Sequence, residues 1–278
     1  YYRDNLYYGI SFHLKKYAGY NGYIKAYIEH GIFFGSFLPP DQKHIFSEIV
    51  ICMGNRRQEQ LKNLIQSKVI SIGPFIHYVD DYLEKEKFNI LKNKLGRVLL
   101  LLPSHSNKQR SLEQSATVFI EKCAHLFENY DTIVVCLFWS DIKNHASSYI
   151  NRNIKVVSAG NINDVNFLSR LKTIIKLSNY VITDTVGTHL GYSIHQNKGV
   201  WIIPGEMMKS AWFKEPYKSF QNLDYYEKST EELSNIKKIF EKPQSYISEE
   251  QKNIINDFWG LNNIKSAKEL NKILIGKT

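Results

Sequence analysis

The chain has 278 residues, of which 43% are hydrophobic and 23% charged, and its formal net charge is +9. Length and composition fit one large or two medium globular units and exclude a disordered chain. No apolar run approaches the roughly 18–20 residues needed to cross a bilayer, which excludes a spanning protein of the helical kind.

In chain order, the sequence opens at Tyr1 with a Tyr-rich segment that has neither Met nor a signal pattern, so part of the N-terminus is expected to be missing. Residues 24–28 (IKAYI), 49–53 (IVICM) and 69–72 (VISI) read as strands, with a helix over 56–66, and together form a small α/β unit. Residues 80–94 (DDYLEKEKFNILKNK) are charged and contain no strand, as expected of a linker helix. Unbroken apolar runs follow at 98–102 (VLLLL), 133–138 (IVVCLF), 154–157 (IKVV), 180–183 (YVIT) and 200–203 (VWII). Runs without polar alternation are buried on both faces, which marks a parallel sheet covered by helices and hence a doubly wound domain. Ser111 and Gln114 make a capping box at the head of a helix over 111–128, and Val165, Phe167, Leu168, Leu171, Ile174 and Ile175 form one helical stripe. Three closing helices are expected over 230–241, 248–258 and 263–275, after Ser or Asn caps. The domains so defined are 1–88 and 89–278.

Four places could carry chemistry. After the 180–183 run, Thr183, Asp184, Thr185, Gly187, Thr188 and His189 crowd hydroxyls and an imidazole into a turn that opens a helix. Free N–H groups and the dipole at such a helix start favour an anionic oxygen. A second loop, residues 103–110 (PSHSNKQR), follows the first strand of the large domain. Strand ends of a parallel sheet open onto one crevice, so Ser104, His105, Ser106 and Lys108 should face the same ligand. In the small unit, Glu29, His30 and Gly31 emerge together at a strand end, where a carboxylate or an imidazole could accept a proton. Asp80 and Asp81 are a further possibility for a carboxylate facing the crevice, or else the acidic start of a helix.

Several chemistries find no support. No spacing among the histidines gives a tetrahedral metal site, and there is no phosphate-binding P-loop, dinucleotide fingerprint or nucleophile elbow. No metal and no cofactor are expected. Cys52, Cys123 and Cys136 are an odd number set among apolar neighbours, which reads as reduced core thiols and a cytoplasmic location. The positive charge favours a polyanionic partner. Its lysines are scattered and no arginine-rich arm is present, which disfavours nucleic acid as a partner; a non-catalytic polyanion- or nucleic-acid-binding protein is the non-enzyme alternative.

Four segments, IEHGIFFG at 28–35, LLLPSHSNKQ at 100–109, FLSRLKTIIKLSNYVITD at 167–184 and VGTHLGYSIHQNKGVWIIP at 186–204, resemble the GT-B glycosyltransferases of bacterial capsule and lipopolysaccharide synthesis. They are similar as well to the related UDP-N-acetylglucosamine 2-epimerases and glycerophosphate polymerases. The resemblance implies two Rossmann-like domains facing a cleft, the N-terminal one truncated, with the closing helices crossing back to the first domain. It implies a nucleotide-sugar donor as substrate and a glycan or lipid-linked acceptor, with docking on an anionic inner membrane leaflet. His30 or Glu29 would be the base on the acceptor wall. Ser104, His105, Ser106, Lys108, Thr185, Gly187, Thr188 and His189 would bind the donor, with Glu206 nearest to a ribose-binding carboxylate. A 2-epimerase or a polyol-phosphate transferase would use the same architecture.

Overall fold

Eight of the apolar runs become eight strands in two all-parallel sheets. The computed structural model describes residues 3–35, 47–105, 116–204 and 223–277. The first sheet has three strands in the order β1 (Ala26–Ile28), β2 (Ile49–Cys52), β3 (Lys68–Ser71), with α2 (Asn55–Lys62) crossing between the last two. The second holds β4 (Val98–Leu102), β5 (Thr132–Cys136), β6 (Lys155–Val157), β7 (Tyr180–Thr183) and β8 (Gly199–Ile202) in the order β6-β5-β4-β7-β8. The chain therefore winds outward from β4 in one direction, returns beside it as β7, and winds out the other way. The α/β, doubly wound class expected from the runs is the class observed.

Burial explains why the central strand β4 is apolar throughout. Every residue of β4 is buried, but alternate side chains enter different cores. Val98, Leu100 and Leu102 join a core that also contains Ile28, Ile51, Phe258 and Trp259, whereas Leu99 and Leu101 pack with Phe119, Ile182 and Trp201. A sheet with helices on both faces leaves no side for polar alternation. The first of these cores is continuous from the small sheet to the large one.

Among the described residues the remaining α-helices are α1 (Ile10–Ala18), α3 (Lys85–Leu95), α4 (Ala116–Cys123), α5 (Ile142–Ile150), α6 (Phe167–Leu177), α7 (Thr188–His195), α8 (Leu223–Phe240), α9 (Glu249–Trp259) and α10 (Ala267–Leu274). The helix expected over 111–128 is α4 followed by a 3-10 segment over Ala124–Asn129, and the capping pair Ser111 and Gln114 lies outside the described residues. Helix α9 has its expected Ser cap at Ser248, and the structure adds a capping box in which Gln251 is the partner. In α10 the cap is Ser266 with Glu269, not Asn263, whose side chain instead bonds Asn55 and Ser71. Both closing helices return to the small sheet: Phe258 O lies where a Cβ on Gly54 would be, and Lys25 N donates to Leu274 O at 2.9 Å.

Two helices were not foreseen. Helix α5 buries only Tyr149, so its sequence has no stripe to read. Helix α1 follows a turn in which Tyr8 (φ 59°) and Gly9 (φ 73°) are left-handed. At Gly9 a Cβ would sit 2.2 Å from Val165 O, so the glycine allows the N-terminal segment to press on the large domain. The same segment serves the small sheet, because the Asn5 amide donates to Ala26 O at 2.9 Å and accepts from Ile28 N at 2.8 Å. It thus ties the outer edge of β1 to the other half of the molecule. Asp80 and Asp81 do not face a crevice: Asp80 pairs with Lys16 at 2.7 Å and Asp81 with Lys176 at 2.6 Å, which draws them to α1 and α6.

Candidate functional site

In an open parallel sheet, ligands bind where neighbouring strands send their chains to opposite sides. Here that point lies between β4 and β7, which end level with each other because Leu102 pairs with Thr183. Just beyond them, Asp184 accepts Ser104 N at 2.7 Å and Ser104 Oγ at 2.8 Å. Burial raises the Asp184 carboxyl above the usual carboxylate range, against the opposing effect of the Ser104 bonds. Both donors of Ser104 are therefore committed to Asp184, which corrects its expected role: Ser104 joins the two strand tips and is not a free phosphate ligand. Ser104, Phe138, Asp141, His145, Tyr149 and Asp184 border a cavity of about 20 Å³ below the tips, room for about one water. His105 is exposed and stacks on Phe138 with ring centroids 4.5 Å apart.

The turn into α7 is held by its own side chains. Thr183 Oγ1 shares a 2.9 Å hydrogen bond with His189 Nε2 and accepts from Thr185 N at 3.3 Å. Desolvation, assisted by nearby His105, pushes the His189 pKa down, so its ring is neutral near pH 7. His189, expected among the donor ligands, is thus a lock on the turn, the second correction. Gly187, the N-cap, supplies no side-chain acceptor to the first turn of α7. Thr185, Gly187 and Thr188 are partly exposed there, so the helix start presents uncapped N–H groups beside two hydroxyls. Behind it, Trp259 Nε1 donates to Thr188 O at 3.2 Å, and the indole lies against Gly191, where a Cβ would meet the ring at 2.2 Å.

The opposite wall is the segment after β1. Ile32 N donates to Thr188 Oγ1 at 3.1 Å, and the space beside Gly31 is bounded by the same oxygen. This contact brings His30 and the start of α7 together. Around His30 stand Tyr7 and Phe33, each edge-on with centroids 5.5 Å away. Its Nδ1 has no hydrogen-bond partner and lies 3.7 Å from Asp4 Oδ2, which also accepts the Tyr27 hydroxyl at 2.8 Å. The neighbouring imidazole and that hydroxyl hold the Asp4 carboxyl below its usual range, against partial burial.

Glu29 does not share this position. It is 1% exposed and both its oxygens face Arg57, with Nη2 to Oε1 at 2.6 Å and Nε to Oε1 and Oε2 at 3.0 and 3.1 Å. Arg57 Nη1 donates in turn to Gly35 O at 2.9 Å, and Glu232 accepts Gly35 N at 2.7 Å. Glu29 is therefore part of the frame that fixes residues 29–35, not a base at the cleft, the third correction. Arg57, Glu232, Asp4 and Trp259 were not legible as site residues. Their partners lie 28, 197, 26 and 71 positions away in the chain, beyond the reach of any local spacing. Ser106, Lys108 and Glu206 lie outside the described residues. Among the described residues no group of three or more His, Cys, Asp or Glu could hold a metal ion. No described helix is long and apolar enough to cross a membrane.

No protein-family model matches the chain, and no curated protein matches it. Solved structures do. A wall teichoic acid polymerase, TagF, aligns at 13% identity over 90% of this chain and 67% of its own, with a TM-score of 0.49. A variant of that polymerase aligns at 12%, over 83% of this chain and 58% of its own, with a TM-score of 0.45. A UDP-GlcNAc 2-epimerase from Neisseria meningitidis, bound to UDP-GlcNAc, aligns at 12% over 96% of this chain and 79% of its own, with a TM-score of 0.46. The chain thus spans 58–67% of the polymerase chains it resembles.

Proposed function

We propose that the chain is a GT-B glycosyltransferase that moves a sugar from a nucleotide donor to a hydroxyl of a bacterial surface glycan. The observation that supports this reading is the contact between Ile32 N and Thr188 Oγ1, because it joins a wall bearing a carboxylate-flanked histidine to an uncapped helix start at a switch point. In the proposed step His30, through the ring nitrogen turned away from Asp4, takes the proton of the acceptor hydroxyl. The acceptor oxygen bonds to the anomeric carbon as the bond from that carbon to the phosphate oxygen breaks. The departing phosphate keeps the electron pair, and its charge falls on the N–H groups of Thr188 and His189 and the hydroxyls of Thr185 and Thr188. Asp4 stabilises the imidazolium until the proton leaves to solvent.

A panel of UDP, CDP, GDP, ADP and CMP sugars, screened by thermal shift, tests the donor site. The matching donor at 100 times its Kd should stabilise the protein by about 2.7 kcal/mol. If no member of the panel shifts the melting temperature, the reading fails. Incubating that donor without acceptor then separates the reactions, since a transferase yields at most slow hydrolysis whereas a 2-epimerase converts the sugar.

A further inference from the structure

A groove of about 590 Å³ runs along the outer edge of β3, apart from the arrangement above. Its far side is formed by α10 and the residues flanking it. Lys68 projects from the strand, and Lys265, Lys272 and Lys277 line the groove from the other side. Among the described residues none of the four makes an ion pair within 4.0 Å. The single carboxylate on the lining, Glu269, is engaged as the cap of α10, where it accepts Ser266 N at 2.8 Å and Ser266 Oγ at 2.6 Å.

The Ser266 bonds, and then the nearby charges of Lys265 and Lys272, lower the Glu269 carboxyl, but one carboxylate against four lysines leaves the lining positive, and that surplus favours an anion. A lysine on an edge strand also discourages strand pairing, which accounts for Lys68 but not for the three across the groove. Size narrows the ligand. β3 runs for about 10 Å between Lys68 and Ser71 and α10 for about 12 Å, so one phosphate cannot reach all four charges. The lining has no arginine and no aromatic side chain on which a base could stack, which separates the groove from a nucleic-acid channel. Amide and hydroxyl groups of Asn55, Asn263 and Ser71 close its inner end, joined to one another by hydrogen bonds. We propose that this groove binds an elongated polyanion with repeating phosphate groups, laid along the outer edge of β3. The inference stands independently of the transferase reading.

Fluorescence anisotropy with labelled medium-chain inorganic polyphosphate tests it. Lys68→Glu combined with Lys272→Glu should weaken binding at least about tenfold and flatten its dependence on salt. The same charge change on α3, Lys92→Glu with Lys94→Glu, should leave affinity within about twofold, and orthophosphate at equal phosphate concentration should not compete. Lys265→Gln with Lys277→Gln repeats the reading with a milder change, and circular dichroism verifies that each variant is folded. Equal losses in the groove and α3 variants would reduce the effect to general surface charge and overturn the proposal. So would the absence of saturable binding, or single-stranded DNA of matched charge binding as tightly through the same lysines.

Discussion

At the scale of single residues, His30 and Glu29 are neighbours in sequence with opposite fates. A strand end places successive side chains on opposite sides, so one turns to the cleft and the other into the protein. Inside, Glu29 is paired with Arg57 at 2.6 Å, and removing one partner of a buried pair of this kind costs about 3–5 kcal/mol. Replacing His30 by Ala should therefore lower kcat by about 10²-fold or more while the Kd for donor stays within a few-fold, as expected of lost general-base catalysis without lost binding. Single-turnover kinetics with donor titration measures both. Unchanged turnover would remove His30 from the mechanism. The sequence suggested a proton acceptor at 29–30 from residue types alone, but the choice between the two depended on Arg57 and Asp4, which only folding brings near.

At the scale of elements, α7 is the part whose position matters most, and it is held from behind by α9. The packing of Trp259 on Gly191 leaves no room for a methyl group, since the added carbon would fall 2.2 Å from the ring. Gly191→Ala should destabilise the protein by roughly 1–3 kcal/mol, as overpacking does, at about 2–4 °C of melting temperature per kcal/mol. Because Trp259 also bonds Thr188 O, the same substitution should weaken nucleotide binding. Calorimetry with and without donor checks both effects, and a variant that melts and binds like the parent would exclude this support. The eight strands among the described residues and the Ser248 cap were legible, because continuous apolar runs and a Ser ahead of a helical pattern are local signals. Helices α1 and α5 were not, since one depends on a left-handed turn pressed against Val165 and the other buries a single tyrosine.

For the whole molecule, the join between the halves contains histidines that burial keeps neutral. His77 and His195 meet edge-on at 5.4 Å, and His13 bonds Val165 O across the join at 3.0 Å. Desolvation pushes the pKa of His195 down to about 4 and lowers those of His77 and His13. A base whose folded pKa lies below its unfolded value of about 6.5 binds fewer protons when folded. Its contribution to stability is thus complete above about pH 6.5 and declines as pH falls toward the folded pKa. Melting temperature should drop between about pH 7.5 and pH 5, before the lowered carboxylates Asp4, Asp80 and Asp164 titrate, although the raised Asp184 opposes the trend. A melting temperature that holds or rises over that range would show that the join does not rest on neutral imidazoles. The sequence by itself determined the class of sheet and the two turns that follow β4 and β7, because burial on both faces and small polar residues at strand ends are written within a few positions. Only the tertiary structure decided which of those turn residues remain available. Hydrogen bonds and ion pairs between distant segments commit Ser104 to Asp184, His189 to its own turn and Glu29 to Arg57, while Thr188 meets Ile32 across the groove.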